Sequence, residues 1–411
     1  MRPYNKTHRL HRKLAHVMIG TQKTVEPYLN LQEKEAHRFL FRVLQQPEKL
    51  LDHIRTEAGA VILKIIYGYT VETHNLDPLV HLVDVTIENF GVSTLPGEWY
   101  VDIIPALKYV PGWMPGTRWK KTARKWRAIL VETLEKPLEF ARQQIAKGDK
   151  TKSFISEIHR EYGDKLSPEY EHALKWVAFS MYAAGADTTV STISSFYLAM
   201  TLFPEVQRRA REEIDRVIGT GRLPAFGDRE SLPYVDAVVK EAWRWHPVTP
   251  MGIAHRTTAD DMINGYYIPK GATILTNIWW FTHDPAVYPN PSAFDPSRYL
   301  GPNPQPDPAN HIFGYGRRIC PGRYLGTSSV WLTISRSLAV FDIRKSLDES
   351  GREVEPHVGF SPGLVSRIEP FQATIKPRSA KHEALIRQLE EIHPWEKSNA
   401  DEIGENVSLR D

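Results

Sequence analysis

The chain has 411 residues and 52 Lys plus Arg against 49 Asp plus Glu, and this near balance (net charge +3) provides no global field of the kind that marks a nucleic-acid binder. Hydrophobic residues make up 41%, with 11 Trp and 17 Tyr, enough to fill a large core and to exclude a disordered or fibrous chain. A single cysteine closes no internal disulfide, so nothing points to a secreted, bridged scaffold and a reducing compartment is the default.

The opening stretch MRPYNKTHRLHRKLAHVMIG is basic and amphipathic, with no apolar run long enough for a signal sequence or a membrane span. Apolar residues recur three or four apart over 31–66, 75–90 and 117–147, which predicts helices there. Between the last two, 91–116 is rich in Pro, Gly and aromatics, an irregular apolar segment suited to a ligand entrance. Ser167 as cap and Pro168 and Glu169 in the first turn begin a long helix that runs to Phe203 and is apolar on all sides. Helices over 204–219 and 231–247 follow, stopped by Gly219 and Pro247. Asn264-Gly265 predicts a hairpin and Pro269-Lys270-Gly271 a second turn, so a small sheet belongs here. A Pro-rich loop (301–309), a helix over 322–341 and a charged tail complete the order, the tail read as a helix over 380–392 and then disorder. The expected class is mainly α with a small β-sheet region.

The one cysteine lies in FGYGRRICPGRYLG (313–326). Gly314, Gly316 and Gly322 free the backbone for a tight turn, Pro321 stiffens it, and arginines and a following helix start favour a thiolate at Cys320. A thiolate serves as nucleophile or as metal ligand. The first needs a His base that spacing does not assign, structural zinc needs three further ligands, and an axial bond to haem iron needs no protein partner.

Phe313, Gly316, Arg318, Cys320 and Gly322 resemble the haem-binding loop of the cytochrome P450 superfamily. Three further groups resemble the family in its chain order. Ala184-Gly185-Ala186-Asp187-Thr188-Thr189 lies mid-helix and is similar to the oxygen-activation motif. Its interior glycine costs roughly 1 kcal/mol relative to Ala, so something must fit against that groove. Glu241 and Arg244 resemble the ExxR pair, with Arg298 of FDPSRY closing the triad in a structural role. The resemblance covers 1–378 and implies a P450 domain there, with 379–411 as a charged, partly disordered tail. It implies haem b with Cys320 as axial ligand, Arg318, His255 and Arg12 at the propionates, Phe313 and Gly185 beside the macrocycle, and Asp187 and Thr188 delivering protons. His8 stands where the family has Trp. Phe179, Tyr182, Ala183, Thr249 to Ala254 and Gly363 to Val365 would meet substrate.

The same resemblance implies a monomeric monooxygenase that acts with O2 on a lipophilic small molecule of fungal secondary metabolism. Electrons would come from an NADPH-dependent flavoprotein reductase, which Arg317, Arg323 and the basic 118–127 stretch would receive. The full-length family sits on the cytosolic face of the endoplasmic reticulum membrane. This chain starts at the helix that follows the family's anchor and first helices and strands, so the expectation is an N-terminally truncated member. The alternative reading is a non-catalytic haem-binding remnant.

Overall fold

A computed structural model describes residues 3–73 and 75–409, apart from the side chains of residues 164, 389 and 407; residues 410 and 411 of the expected tail lie outside it. The main helices in chain order are α1 (Lys6–Ile19), α2 (Leu29–Gln45), α3 (Leu50–Tyr67), α4 (Pro78–Ser93), α5 (Arg118–Ala146), α6 (Phe154–Tyr162), α7 (Pro168–Leu202), α8 (Pro204–Val217), α9 (Pro233–Trp245), α10 (Arg323–Val340) and α11 (Ala380–Arg387). Their ends follow local chemistry. Ser167 accepts from Tyr170 N at the start of α7, Asp77 caps α4 at two backbone N–H groups, and α3 stops at Gly68 with φ 76°. The run expected over 31–66 is two helices, because Pro47 has no N–H to continue the ladder.

Strands are few and short. His255–Arg256 (β1) pairs antiparallel with Thr273–Ile274 (β4), and Asp261–Ile263 (β2) pairs with Tyr266–Ile268 (β3). Asn264 and Gly265 take φ 51° and 83° in the turn between β2 and β3, as the Asn-Gly signal requires. Phe341–Arg344 (β5) pairs with Thr374–Pro377 (β6). The class is mainly helical, as expected.

Helix α7 runs through the centre and packs on α1, α3, α4, α5, α9, α10 and β5. Its first half, Ala173 to Tyr182, belongs to one apolar core with α3, α4 and α5; its second half, Val190 to Met200, belongs to another with α2, α8, α9 and α10. Between them, Ala184 and Thr188 are exposed in a helix otherwise largely buried. The seam between the two cores is therefore open on one side of α7.

The tail departs from expectation. Helix α11 ends at Arg387, a further turn spans Leu389–Ile392, and the described residues from 393 to 409 are anchored on the helices rather than disordered. Trp395 lies under the guanidinium groups of Arg38 and Arg42, 5.0 and 5.4 Å from its ring centroid, and edge-on to Phe41. Asn399 exchanges hydrogen bonds with Thr70, Ile403 is buried, and Ser408 N donates to Glu132. Composition alone suggested disorder; a few apolar and amide anchors in a charged segment bind it across α2, α3 and α5. Trp395→Ala should lower unfolding free energy by about 2 kcal/mol, below the roughly 3–5 typical of a fully buried Trp because this ring is only partly buried, as read by urea denaturation.

Candidate active site

The cysteine turn is held from both sides. Gly314 and Gly316 have φ 71° and 56°, the left-handed region that disfavours a side chain, while Cys320 N donates to Phe313 O at 2.8 Å and closes the loop. Helix α10 starts three residues after the cysteine, and the Gly322 N–H points at the sulfur. Burial nevertheless pushes the Cys320 thiol above its ordinary value, outweighing the pull of Gly322, Arg12 and Arg323 towards thiolate. The turn's N–H and arginines thus pull towards a thiolate while burial pushes against it, and a metal ion that coordinates the sulfur supplies further positive charge.

Cys320 opens into a cavity of about 350 Å³ between α1, α3, α7 and α10. Ala184, Gly185 and Thr188 of α7 form part of its wall, and Phe313, edge-on to Trp243, lies beside the sulfur. Thr188 Oγ1 donates to Ala184 O at 2.9 Å, the local bond that loosens a helix. Gly185 has a second reason to be glycine. A Cβ there would stand 2.8 Å from Ile62 Cγ1 of α3, so close helix packing accounts for the missing side chain while the backbone faces the cavity.

Asp187 turns the other way. It is buried, lies outside the cavity lining, and its Oδ1 accepts from Arg367 Nε at 2.7 Å; Arg367 also meets Asp84 at 3.3 Å. Burial raises its pKa against the pull of Arg367. One residue is 100° of helix, so Asp187 and Thr188 face different surroundings. The same arithmetic corrects the substrate-side expectations. Tyr182 is fully buried with its hydroxyl bonded to Leu79 O, and Phe179 packs on Trp176; from this part of α7, Val177, Ser180, Met181 and Ala184 reach the cavity. Ala183, Thr249 to Ala254 and Gly363 to Val365 also lie off its wall.

One end of the cavity is cationic. Arg12 lines it, and Arg318 and Arg323 lie within electrostatic reach of Arg12. Among the described residues no carboxylate pairs with Arg12, and the buried His8 Nε2 has no partner. Burial, then Arg318 and Arg12, lower the His8 pKa. An unpaired, partly buried guanidinium beside a thiol and an orphaned ring nitrogen fits a bound group that carries carboxylates at its rim and a metal at its centre. The residues present fit haem. His255 is not brought here: it is exposed on β1, which pairs with β4, and stands off the cavity wall.

Glu241 accepts from five donors: Arg244 Nε at 2.8 Å and Nη2 at 2.9 Å, Arg298 Nε at 3.1 Å, Asp295 N at 2.8 Å and the Tyr299 hydroxyl at 3.0 Å. The guanidinium of Arg244 is completed by the Thr282 and Ala293 carbonyls. Glu241 and Arg244 are 0% exposed, so this is a fully paired buried triad that pins α9 to the 293–299 loop, away from the cavity wall. Sequence reasoning missed His11, Ala15 and Ile19 of α1 and Glu57, Ala58 and Val61 of α3, all on the cavity wall. Counting three and seven residues on from Arg12 finds Ala15 and Ile19; α3 carries no comparable signal, because its apolar residues cover most of its surface.

Residues 2–375 match the family described as Cytochrome P450. The chain is 47% identical over 406 residues to cytochrome P450 monooxygenase CLM2 of Gibberella zeae, covering 97% of this chain and 77% of that protein. It is 44% identical over 404 residues to the multifunctional cytochrome P450 monooxygenase af510 of Aspergillus fumigatus (97% and 75%), and 39% identical over 388 residues to the O-methylsterigmatocystin oxidoreductase of Aspergillus flavus (94% and 72%). Among the described residues no helix is long and apolar enough to cross a membrane. The cysteine turn, the facing helix with Thr188 and the cationic rim thus sit in a chain that belongs to the cytochrome P450 family, the haem b monooxygenases.

Proposed function

We propose that this monooxygenase inserts one atom of O2 into a lipophilic small molecule of fungal secondary metabolism, with electrons from an NADPH-dependent flavoprotein reductase. The observation that carries the reading is that Cys320 and Thr188, 132 positions apart in sequence, line one cavity with Arg12 at its rim. Haem bound there supplies the oxygen-activating chemistry. Cys320 would hold its iron, Arg12, His8 and Arg318 would bind its carboxylates, and Phe313 would shield the sulfur from water. His255 would join them only if β1 moved.

The Thr188 hydroxyl donates to Ala184 O, and rotation about χ1 would break that bond and turn the O–H towards the cavity as a hydrogen-bond donor on its wall. Asp187 acts behind it, exchanging with the cavity when Arg367 lets go. Val61, Ile62, Val177 and Met181 give the wall an apolar character suited to a lipophilic substrate. The arginines of the cysteine turn are the nearest cations for an acidic reductase, with Arg317 exposed and stacked 4.2 Å from the Tyr4 ring centroid. The 118–127 stretch contributes less to that surface, since α5 packs on α4, α6 and α7 rather than on the turn. The setting expected from the family is the cytosolic face of the endoplasmic reticulum membrane.

The reduced, CO-bound spectrum of the haem-loaded chain should show the red-shifted thiolate Soret band, and Cys320→Ser should abolish it. Persistence of the band in that variant would remove Cys320 as ligand, and a band without reductase-driven turnover would favour the non-catalytic remnant. Arg12→Ala removes one charge-assisted bond of about 1.5–3 kcal/mol, so haem loss to apomyoglobin should be roughly 10- to 100-fold faster.

A further inference from the structure

A second polar region lies behind the cavity wall, enclosed by α2, α3 and α10. Gln32, Glu35, Arg38 and Arg42 follow one another three or four residues apart on α2 and form a single stripe, and Glu57 of α3 faces them; all five are less than a tenth exposed. The stripe is only partly paired. Arg38 Nη1 donates to Glu35 Oε1 at 2.8 Å, and the Thr333 hydroxyl donates to Glu57 Oε1. Glu57 Oε2, Glu35 Oε2, both amide atoms of Gln32, Arg38 Nε, and Arg42 Nε and Nη1 are buried without a protein partner. Donors and acceptors are both in surplus, and Arg42 lies within electrostatic reach of Glu35 and Glu57 without an ion pair to either. The Arg42 guanidinium lies over the Trp395 ring, but Nε and Nη1 make no protein hydrogen bond, which leaves a place for something small and polar between it and the two carboxylates.

The stripe has two ends. Glu57 lines the main cavity. Glu35 and Arg38 line a small cavity of about 10 Å³, roughly the space of one water molecule, which Ala60, Lys34, Lys64 and Glu396 also border. The side chains of Lys34, Lys64 and Glu396 are 21, 26 and 39% exposed, so this end meets solvent beneath the C-terminal segment. Burial pushes Glu57 up to about 8, against Thr333, Arg42 and Arg336, with Glu35 acting in the same sense as burial; Tyr197 of α7 also faces it.

We infer that this stripe holds a file of bound water that joins the main cavity to solvent beneath the C-terminal segment, with Glu57 as the carboxyl at its inner end that passes protons to the cavity. One proton enters from bulk water near Lys64 and Glu396, the file shifts, and Glu57 gives one proton to the cavity and takes one from the file; no electrons move. The proton-feeding role rests on the haem monooxygenase reading of the cavity; the water file does not. The route serves the cavity independently of Asp187, which Arg367 occupies.

A crystal structure of the chain, with or without haem, at a resolution that shows ordered water should place water on Glu57 Oε2, Arg42 Nη1 and Glu35 Oε2. A dry stripe closed by a direct Arg42 to Glu57 ion pair would overturn the file. In the haem-loaded enzyme, Glu57→Gln should keep the CO-bound spectrum, slow turnover about tenfold and raise the solvent deuterium isotope effect; Ala60→Leu, which fills the small cavity from a different residue, should act in the same direction. Unchanged turnover and isotope effect in both variants would overturn the proton role. If the wild-type thiolate spectrum itself were missing, the haem reading would fail while the crystallographic result still decided the water file.

Discussion

A helix of 35 residues that is apolar on nearly every side has to be covered along its whole length, and most of this fold follows from how α7 meets that demand. No single layer of helices is long enough to do it. Two separate apolar cores form instead, one around each half. Where they meet, the covering is incomplete, and the small residues Ala184 and Gly185 with the hydroxyl of Thr188 are left facing open space. The cysteine turn closes that space from the other side, so the cavity is a consequence of core packing.

Buried charge in this protein is handled in two opposite ways. Around Glu241 each oxygen is satisfied, and the arginines spend their remaining donors on carbonyls, so desolvation is offset by five direct bonds and the triad is rigid. Around Cys320, Arg12 and His8 the reverse holds. A thiol lifted by burial, a guanidinium with no carboxylate and an orphaned ring nitrogen are arranged around a common space. Such an arrangement is costly in the protein alone and is offset when a metal-centred, carboxylate-bearing cofactor is bound. The partly paired stripe of α2 belongs to the second kind.

The C-terminal segment shows how weakly composition constrains a charged stretch. It lacks the apolar periodicity that marks a core element, yet Trp395 between two cations, one buried Ile403 and backbone pairing with Thr70 tie it across helices distant in sequence. These contacts join residues more than three hundred positions apart, beyond the reach of any local pattern.

The family resemblance pointed to the Glu241, Arg244 and Arg298 grouping, and the sequence by itself determined the helical class, the ends of α7, the Asn-Gly hairpin and the cysteine turn. Each of these rests on short-range chemistry: caps, turn residues with positive φ, and motif spacing. Only the tertiary structure decided which way side chains face. Asp187 and Thr188 are adjacent in sequence but one helical step apart in direction, so one is taken by Arg367 and the other lines the cavity. His255 is held off the cavity by its strand, and Glu57 reaches it from a helix whose sequence reads as plain core. Burial pushes the Cys320 thiol up against the pull of Gly322, Arg12 and Arg323, because desolvation depends on everything packed around the sulfur.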